Sequence, residues 1–361
     1  MNEYNTITEE AIKLLMQLIS IPSFSKHEHC TADAIGSYLH SKNIAFHRYK
    51  NNIWAVNRNY DPLRQTILLN SHHDTVQPNK GYTLDPFTPQ LLDEKLYGLG
   101  SNDAGGCLVS LMAAFIFFYD TGNLNYNLVF AATAEEEISG SGGIESLLLE
   151  ADFKSSLGDS PCAIVGEPTL MDMAIAEKGL LVIDCLATGV AGHAARDEGE
   201  NAIYKALKDI EWFRNYKFDK GSEFLGPVKM SVTSIETSNK AHNVVPGECS
   251  FVVDVRINEL YDFEEVLNII EENIISKVMP RSMRLRSTGI SQDHPLVKAG
   301  SSLGKKAYGS PTTSDKALMP FPALKMGPGY SARSHSADEY IYIKEIESGI
   351  STYIDLLKIL L

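Results

Sequence analysis

Asn127-Leu-Val-Phe-Ala-Ala-Thr-Ala-Glu135-Glu136-Glu137-Ile-Ser-Gly-Ser-Gly-Gly143 is an apolar run that stops at three consecutive carboxylates and gives way to glycine and serine. Leu128 to Ala132 predicts a buried strand, and the residues after the acids are turn formers. Three adjacent anions repel one another, and the run holds no basic residue to offset them. Such a cluster requires an external cation or a solvated surface. A solvated loop is the usual fate of a charge run. Against that stands its place, because ligand sites in open α/β sheets lie just beyond the carboxyl ends of strands.

Working outward, the same junction recurs. Thr66-Ile-Leu-Leu-Asn-Ser-His72-His73-Asp74 runs a buried strand into histidines and an aspartate. Strand side chains alternate faces, so His72 and Asp74 share one side, where a carboxylate can orient a metal-binding imidazole. His73 on the other side reads as a loop histidine. By itself His72 also reads as a core or rim histidine. Leu96 to Gly106 is a glycine-rich turn opening the apolar helix Cys107 to Tyr119. It lacks the third glycine and the lysine of a phosphate loop. Asp103 there is either an N-cap or a carboxylate bridging two cations. Ala163-Ile-Val-Gly-Glu167 is another strand ending in an acid. Together these junctions predict convergence on one edge of a sheet.

The chain has 361 residues, 44% hydrophobic, with a formal net charge of -14. The length predicts two domains. The acidity excludes a nucleic-acid partner, which needs a basic surface, and docking on anionic lipid. Cys30, Cys107, Cys162, Cys185 and Cys249 are scattered and show no C-x-x-C spacing, so they read as reduced core thiols. Met1 to Ile19 predicts an amphipathic helix, with Thr6-Ile-Thr-Glu9 as a capping box, and no signal peptide. The apolar run Leu108 to Tyr119 is too short to span a bilayer. A cytoplasmic protein is expected.

The pattern changes near Lys178-Gly179. Strands are predicted at Leu180 to Ala187, Val228 to Ile235, Cys249 to Ile257 and Met283 to Ser287, with helices at Asn201 to Phe213 and Phe263 to Val278. That βαββαβ order is the ferredoxin-like pattern. The fold class expected is α/β: a catalytic domain with a mixed central sheet flanked by helices, residues 1–177 and 289–361, interrupted by a ferredoxin-like α+β domain, residues 178–288.

These residues together resemble the zinc amidohydrolases that include acetylornithine deacetylase and succinyl-diaminopimelate desuccinylase. Ser71-His-His-Asp-Thr-Val, Gly98-Leu-Gly-Ser-Asn-Asp103, Thr133-Ala-Glu-Glu-Glu137, Gly166-Glu-Pro-Thr, Gly192-His-Ala-Ala and Asn243-Val-Val-Pro match family motifs in order. Serine replaces a glycine in the first, and Glu135 replaces an aspartate in the third. Gly327-Pro-Gly with His335 and Asp338-Glu339 is similar to the acetylornithine branch.

The resemblance implies two zinc ions, with cobalt or manganese as substitutes. His72, Asp103 and Glu167 hold one, and Asp103, Glu137 and His335 the other, with Asp103 bridging. Asp74 orients His72, and Glu136 is the general base. Arg256 takes the substrate's free carboxylate, against a reading as a surface arginine. Asn243 is a substrate contact or a turn residue. Ser314 and Asp315 resemble a family substrate loop; Lys316 departs from the family pattern there and is placed to read the acyl or side-chain end of the substrate. His193 reaches across a homodimer built through the inserted domain to stabilise the oxyanion. The implied reaction is hydrolysis of an N-acyl amino acid such as N-acetylornithine, N-acetylcitrulline or N-succinylornithine, in arginine biosynthesis. The alternatives are succinyl-diaminopimelate desuccinylase and a dinuclear zinc aminopeptidase or dipeptidase.

Overall fold

A computed structural model describes residues 3–196 and 198–361. Met1 and Asn2 of the expected first helix lie outside the described residues. The chain divides into two compact units: 1–175 with 290–308 and 314–361, and 176–289 with 309–313. Residues 309–313, which the sequence reading places in the first body, group with the second.

The first unit opens with helices α1 (Glu3–Ile19) and α2 (His29–Ser41), followed by strands β1 (His47–Tyr49), β2 (Asn52–Val56) and β3 (Thr66–His72). Helix α1 begins three residues before Thr6, so the expected capping box lies inside the helix. Helix α3 (Gly106–Phe118), β4 (Asn127–Thr133) and β5 (Cys162–Val165) continue the unit. The sheet runs β1-β2-β4-β3-β5 and then the strand Ala323–Lys325. From β4 through Ala323–Lys325 the strands are parallel, while β1 and β2 are antiparallel.

Every residue of β3 and β4 is buried, because both faces of a parallel sheet are covered by helices. Helix α3 packs on β3 and β4 and against α1 and the closing helix Ile343–Leu360. Its Leu108, Leu111, Met112 and Phe115 are fully enclosed, each contributing about 1.5–3 kcal/mol of burial. The turn Ser101–Gly105 leads into this helix across a kink, with non-helical φ/ψ of −119°/98° at Asp103 and −119°/29° at Ala104. The resulting 18-residue stretch Ser101–Phe118 is long and apolar enough to cross a membrane, longer than the apolar run read from sequence, but 78% of it is buried inside the protein.

The second unit is a four-stranded antiparallel sheet with two helices. Its strands are β6 (Gly179–Thr188), β7 (Lys229–Glu236), β8 (Glu248–Ile257) and β9 (Lys277–Pro280), in the order β7-β8-β6-β9. Burial alternates strictly along β6 and β8. Leu181, Ile183, Phe251, Val253 and Val255 meet α4 (Ala202–Asn215) and α5 (Phe263–Asn273) in one core.

The last two elements differ from expectation. Helix α5 stops at Asn273, not Val278, and the fourth strand is Lys277–Pro280, not Met283–Ser287. The Asp209 carboxylate on α4 accepts the Ile275 and Ser276 amides, at 3.2 and 2.9 Å, and the Ser276 hydroxyl. Those amides are thereby unavailable to continue a helix. Val278 then pairs opposite Cys185.

Candidate metal centre

The parallel pairing of β3 with β4 sets His72 opposite Thr133, and β5 lies on the other side of β3. The carboxyl ends of three neighbouring strands therefore deliver His72, Glu135 to Glu137 and Glu167 to one edge. Asp103 arrives from the turn before α3.

His72 is the centre of this group. Among the described residues its buried Nε2 has no hydrogen-bond partner. It lies 3.4 Å from Asp103 Oδ1, 3.7 Å from Glu167 Oε1 and 3.9 Å from Glu136 Oε2. Its Nδ1 is 3.0 Å from the Asp74 backbone carbonyl and 3.4 Å from that residue's carboxylate, a contact that settles the ring's orientation. The other Asp103 oxygen, Oδ2, is 3.7 Å from His335 Nε2, which is 2.9 Å from Glu137 Oε2. Asp103 thus turns one carboxylate oxygen to each histidine. Ligand atoms of His72, Asp103 and Glu137 lie within 4.8 Å of one another, as do those of His72, Glu136 and Glu167.

The donor set fits divalent cations. A buried imidazole nitrogen that faces three carboxylates without a good hydrogen bond calls for a proton or a cation between them. All the donors are nitrogen or oxygen, which suits zinc, cobalt or manganese.

The electrostatics agree. Burial raises the Glu136 carboxyl well above its ordinary range; the His72 charge opposes this, and the charges of Glu167, Asp315 and Glu137 add to it. Burial raises Glu137 as well. A cation at this edge would relieve the repulsion.

Backbone amides brace the cluster. Glu136 N and Glu137 N donate to the two oxygens of Asp74, at 3.0 and 3.2 Å, and Ser25 Oγ donates to the same carboxylate at 2.6 Å. Asp74 therefore holds the glutamate turn as well as His72. Glu339 accepts the Asn102 and Asp103 amides at 2.8 and 2.9 Å; burial, and then the Asp103 charge, push its carboxyl up to about 8.

Glu135 sits at φ 57°. Its carboxylate accepts the Gly142 amide at 3.1 Å. A Cβ on Gly140 or Gly142 would fall 2.1 Å from its oxygens, so the glycine loop is shaped to this side chain. His73 is not a loop histidine. It is buried, with Nδ1 2.9 Å from Thr31 Oγ1 and Nε2 2.9 Å from the Asn51 carbonyl. Burial lowers its pKa to about 4, so it serves as a neutral brace.

Ser314 and Lys316 face the interior of the first unit, not solvent. Ser314 Oγ accepts the Lys316 amide, capping the short turn Asp315–Leu318, and the Lys316 ammonium donates to the Ala174 carbonyl at 3.3 Å. Between them in that turn lies Asp315. It accepts from Asn70 Nδ2 at 3.0 Å and Thr133 Oγ1 at 2.7 Å, which ties the turn to β3 and β4.

In the second unit, the short strand Gly192–His193 pairs with Val244–Val245. That pairing brings His193 next to Asn243, whose carbonyl accepts the Ala194 amide at 3.0 Å, and both residues are exposed. Arg256 is half-buried on β8. Its guanidinium grips Asp254 through Nε and Nη2, at 2.8 and 3.0 Å. The expected carboxylate binder already holds a carboxylate of its own chain.

Sequence reasoning missed Glu28 and left Glu339 without a role. Each accepts a backbone amide distant in sequence, and no local spacing signals that.

Residues 68–359 match the model of peptidase family M20/M25/M40. The chain is 30% identical over 224 residues to succinyl-diaminopimelate desuccinylase 2 of Ruegeria sp. (strain TM1040), covering 60% of this chain and 55% of that one. The chain thus spans about half the length of this relative. It is 28% identical over 279 residues to the succinyl-diaminopimelate desuccinylase of Orientia tsutsugamushi (strain Ikeda), covering 73% and 71%. In fold it is similar to the Bacillus subtilis YXEP protein, a dinuclear metal binding peptidase, with TM-score 0.74, 16% identity and 98% of each chain covered.

Proposed function

The chain belongs to peptidase family M20/M25/M40, a metal-dependent peptidase and amidohydrolase class, and on that premise we propose that it hydrolyses the amide bond of an N-acyl amino acid bearing a free carboxylate. The observation that carries this reading is the Asp103 carboxylate, with one oxygen turned to His72 and the other to His335. That is the geometry of a bridging ligand beside a free glutamate.

In this reading His72, Asp103 and Glu167 would hold one ion, and Asp103, Glu137 and His335 the other. When bound, zinc, with cobalt or manganese as substitutes, would supply Lewis-acid polarisation and lower the pKa of water. Glu136 takes the proton of the attacking water and passes it to the leaving amine. Its raised pKa suits the second step, and an adjacent cation suits the first. Arg256 exchanges Asp254 for the substrate carboxylate. The inserted domain pairs two copies, and the partner subunit's His193 donates to the oxyanion, with Asn243 beside it. Five free cysteines suit a reducing cytoplasm.

The acyl group is acetyl or succinyl, and the amine that of ornithine, citrulline or a related amino acid, as in arginine biosynthesis. The Gly327-Pro-Gly segment with His335 supports the acetylornithine-like reading. A second reading, succinyl-diaminopimelate desuccinylase, is favoured by the names of both relatives above. A panel of N-acetyl and N-succinyl amino acids, N-succinyl-diaminopimelate and dipeptides, assayed with added zinc, separates these readings. Turnover of dipeptides alone overturns the N-acyl assignment.

The trans role of His193 has its own test. Refolding His193→Ala together with Glu136→Ala should restore roughly a quarter of wild-type sites, since half the dimers are mixed and each has one complete site. No activity despite demonstrated mixed dimers rules it out.

A further inference from the structure

Glu28 is a fully buried carboxylate in the segment between α1 and α2, ahead of the residues that match the family model. Its surroundings are amides. Oε1 accepts from Lys26 N at 2.5 Å and from Glu135 N at 3.2 Å, and Oε2 accepts from Asn51 Nδ2 at 2.8 Å. A carboxylate buried this deeply stays only if its hydrogen bonds are made, and one of those bonds reaches across more than a hundred residues to the turn after β4.

That turn requires outside support. Glu135 and Ser139 flank Glu136–Ile138 with φ of 57° and 47°, conformations that cost a residue with a side chain about 1–3 kcal/mol each. The three successive amides of the turn all end on carboxylates. Glu135 N goes to Glu28, Glu136 N to Asp74 Oδ1, and Glu137 N to Asp74 Oδ2.

The same segment buttresses β3 from below. Ser23 Oγ donates to the His73 carbonyl at 2.7 Å, Thr31 Oγ1 donates to the Glu28 carbonyl at 2.9 Å, and Ser25 holds Asp74. Residues 23–31 therefore form one hydrogen-bonded brace under both the His72 strand and the glutamate turn.

We propose that Glu28 is a positioning residue for the reaction: by clamping the Glu135 amide it fixes the left-handed backbone from which Glu136 is aimed. The proposal rests on the reading of Glu136 as general base. The Glu28 carboxylate binds Lys26, Asn51 and Glu135, none of them a proposed metal ligand. Its effect passes through the peptide it holds. A misplacement of about 1 Å at a reacting group costs on the order of 100-fold in rate.

The test uses the metal-loaded full chain carrying Glu28→Ala or Glu28→Gln, each alone and combined with Glu136→Gln. Amide hydrogen exchange is followed at residues 135–137 and across α3, together with kcat, KM and metal content. Glu28→Ala should speed exchange at 135–137 by roughly tenfold or more while α3 stays protected. It should lower kcat roughly 10- to 100-fold, with KM and metal content within about twofold of wild type. Glu28→Gln keeps an acceptor oxygen and should recover most of both losses. In the Glu136→Gln background Glu28→Ala should cost little more, because the group it aims is already gone.

Unchanged exchange at 135–137 overturns the proposal, as does an equal loss in both backgrounds. If Glu136→Gln by itself keeps wild-type turnover, the general-base reading fails. Exchange then decides alone whether Glu28 holds the turn.

Discussion

Charged side chains in the two units are handled in opposite ways. On the half-exposed face of the second unit's sheet, Arg256 takes Asp254 and Arg281 takes Asp184, each through two hydrogen bonds. Those charges are satisfied by neighbours on the same or an adjacent strand. At the carboxyl edge of the first unit, Asp103, Glu136 and Glu137 are gathered round His72 and His335, and their recorded ion pairs among the described residues are to those histidines. The acids' own backbone amides are held in turn by Asp74 and Glu339, and the charge the acids meet is that of two histidines. The difference teaches where an external cation is required. Exposed pairs on a sheet face are self-sufficient and contribute little, whereas clustered buried acids need protons on the site or a cation in their place.

The comparison breaks most decisively at Glu136. Glu136→Gln keeps the shape of the side chain and removes the base. A fall in kcat of roughly a hundredfold to ten-thousandfold, with metal retained by elemental analysis, is expected. Near-wild-type turnover by a metal-loaded variant would place the base elsewhere.

The next effect concerns protons and metal at His335. The hydrogen bond to Glu137 raises its pKa from the ordinary 6.5 to about 9, with burial opposing. The sign is that of a raised folded pKa. The protonated pair stabilises the metal-free protein fully below about pH 6.5, and that contribution is lost as pH rises through about 9. A metal at His335 must displace that proton. Apparent metal affinity should therefore climb by roughly tenfold per pH unit over this window, with proton release visible by calorimetry in buffers of different ionisation heat. His335→Asn should remove that part of the release; an unaltered proton count in the variant would take His335 out of the ligand set.

A smaller effect is expected at Arg256, which sharpens the contrast because its pair with Asp254 has to open. Arg256→Met should raise KM for a free-carboxylate substrate by roughly 10- to 100-fold, the value of a charge-assisted hydrogen-bonded pair. An amide-capped analogue should be nearly unaffected. Equal losses on both substrates would make Arg256 a partner of Asp254 and nothing more.

The least effect is expected at Arg281. Its pair with Asp184 is solvent-exposed, so Arg281→Gln should leave the thermal midpoint and the kinetics unchanged within error. A clear loss would mean that the second unit's surface pairs matter more than the comparison allows.

Much of this molecule was written locally. Apolar runs such as Leu128 to Ala132 and Thr66 to Asn70 announced buried parallel strands, and strict alternation at Phe251, Val253 and Val255 announced a one-sided sheet. Each depends on periodicity over a few residues, which burial enforces directly. The metal-competent residues were legible for a related reason: His72, Glu136, Glu137 and Glu167 stand where an apolar strand stops, and a sheet places such points along one edge.

Tertiary structure decided what depends on partners far apart in the chain. Whether α5 ended at Asn273 or Val278 was settled by Asp209 capturing two amides more than sixty residues away. His73 became a neutral brace because Thr31 and Asn51 were folded against it. Lys316 lies inward, its ammonium on the Ala174 carbonyl far back in the chain. Glu28 and Glu339 clamp the backbones of Glu135 and Asp103 through amides that every residue type but proline carries. A hydrogen bond to a backbone amide leaves no mark in the identity of the residue that donates it, so only the folded chain reveals which carboxylate holds which turn.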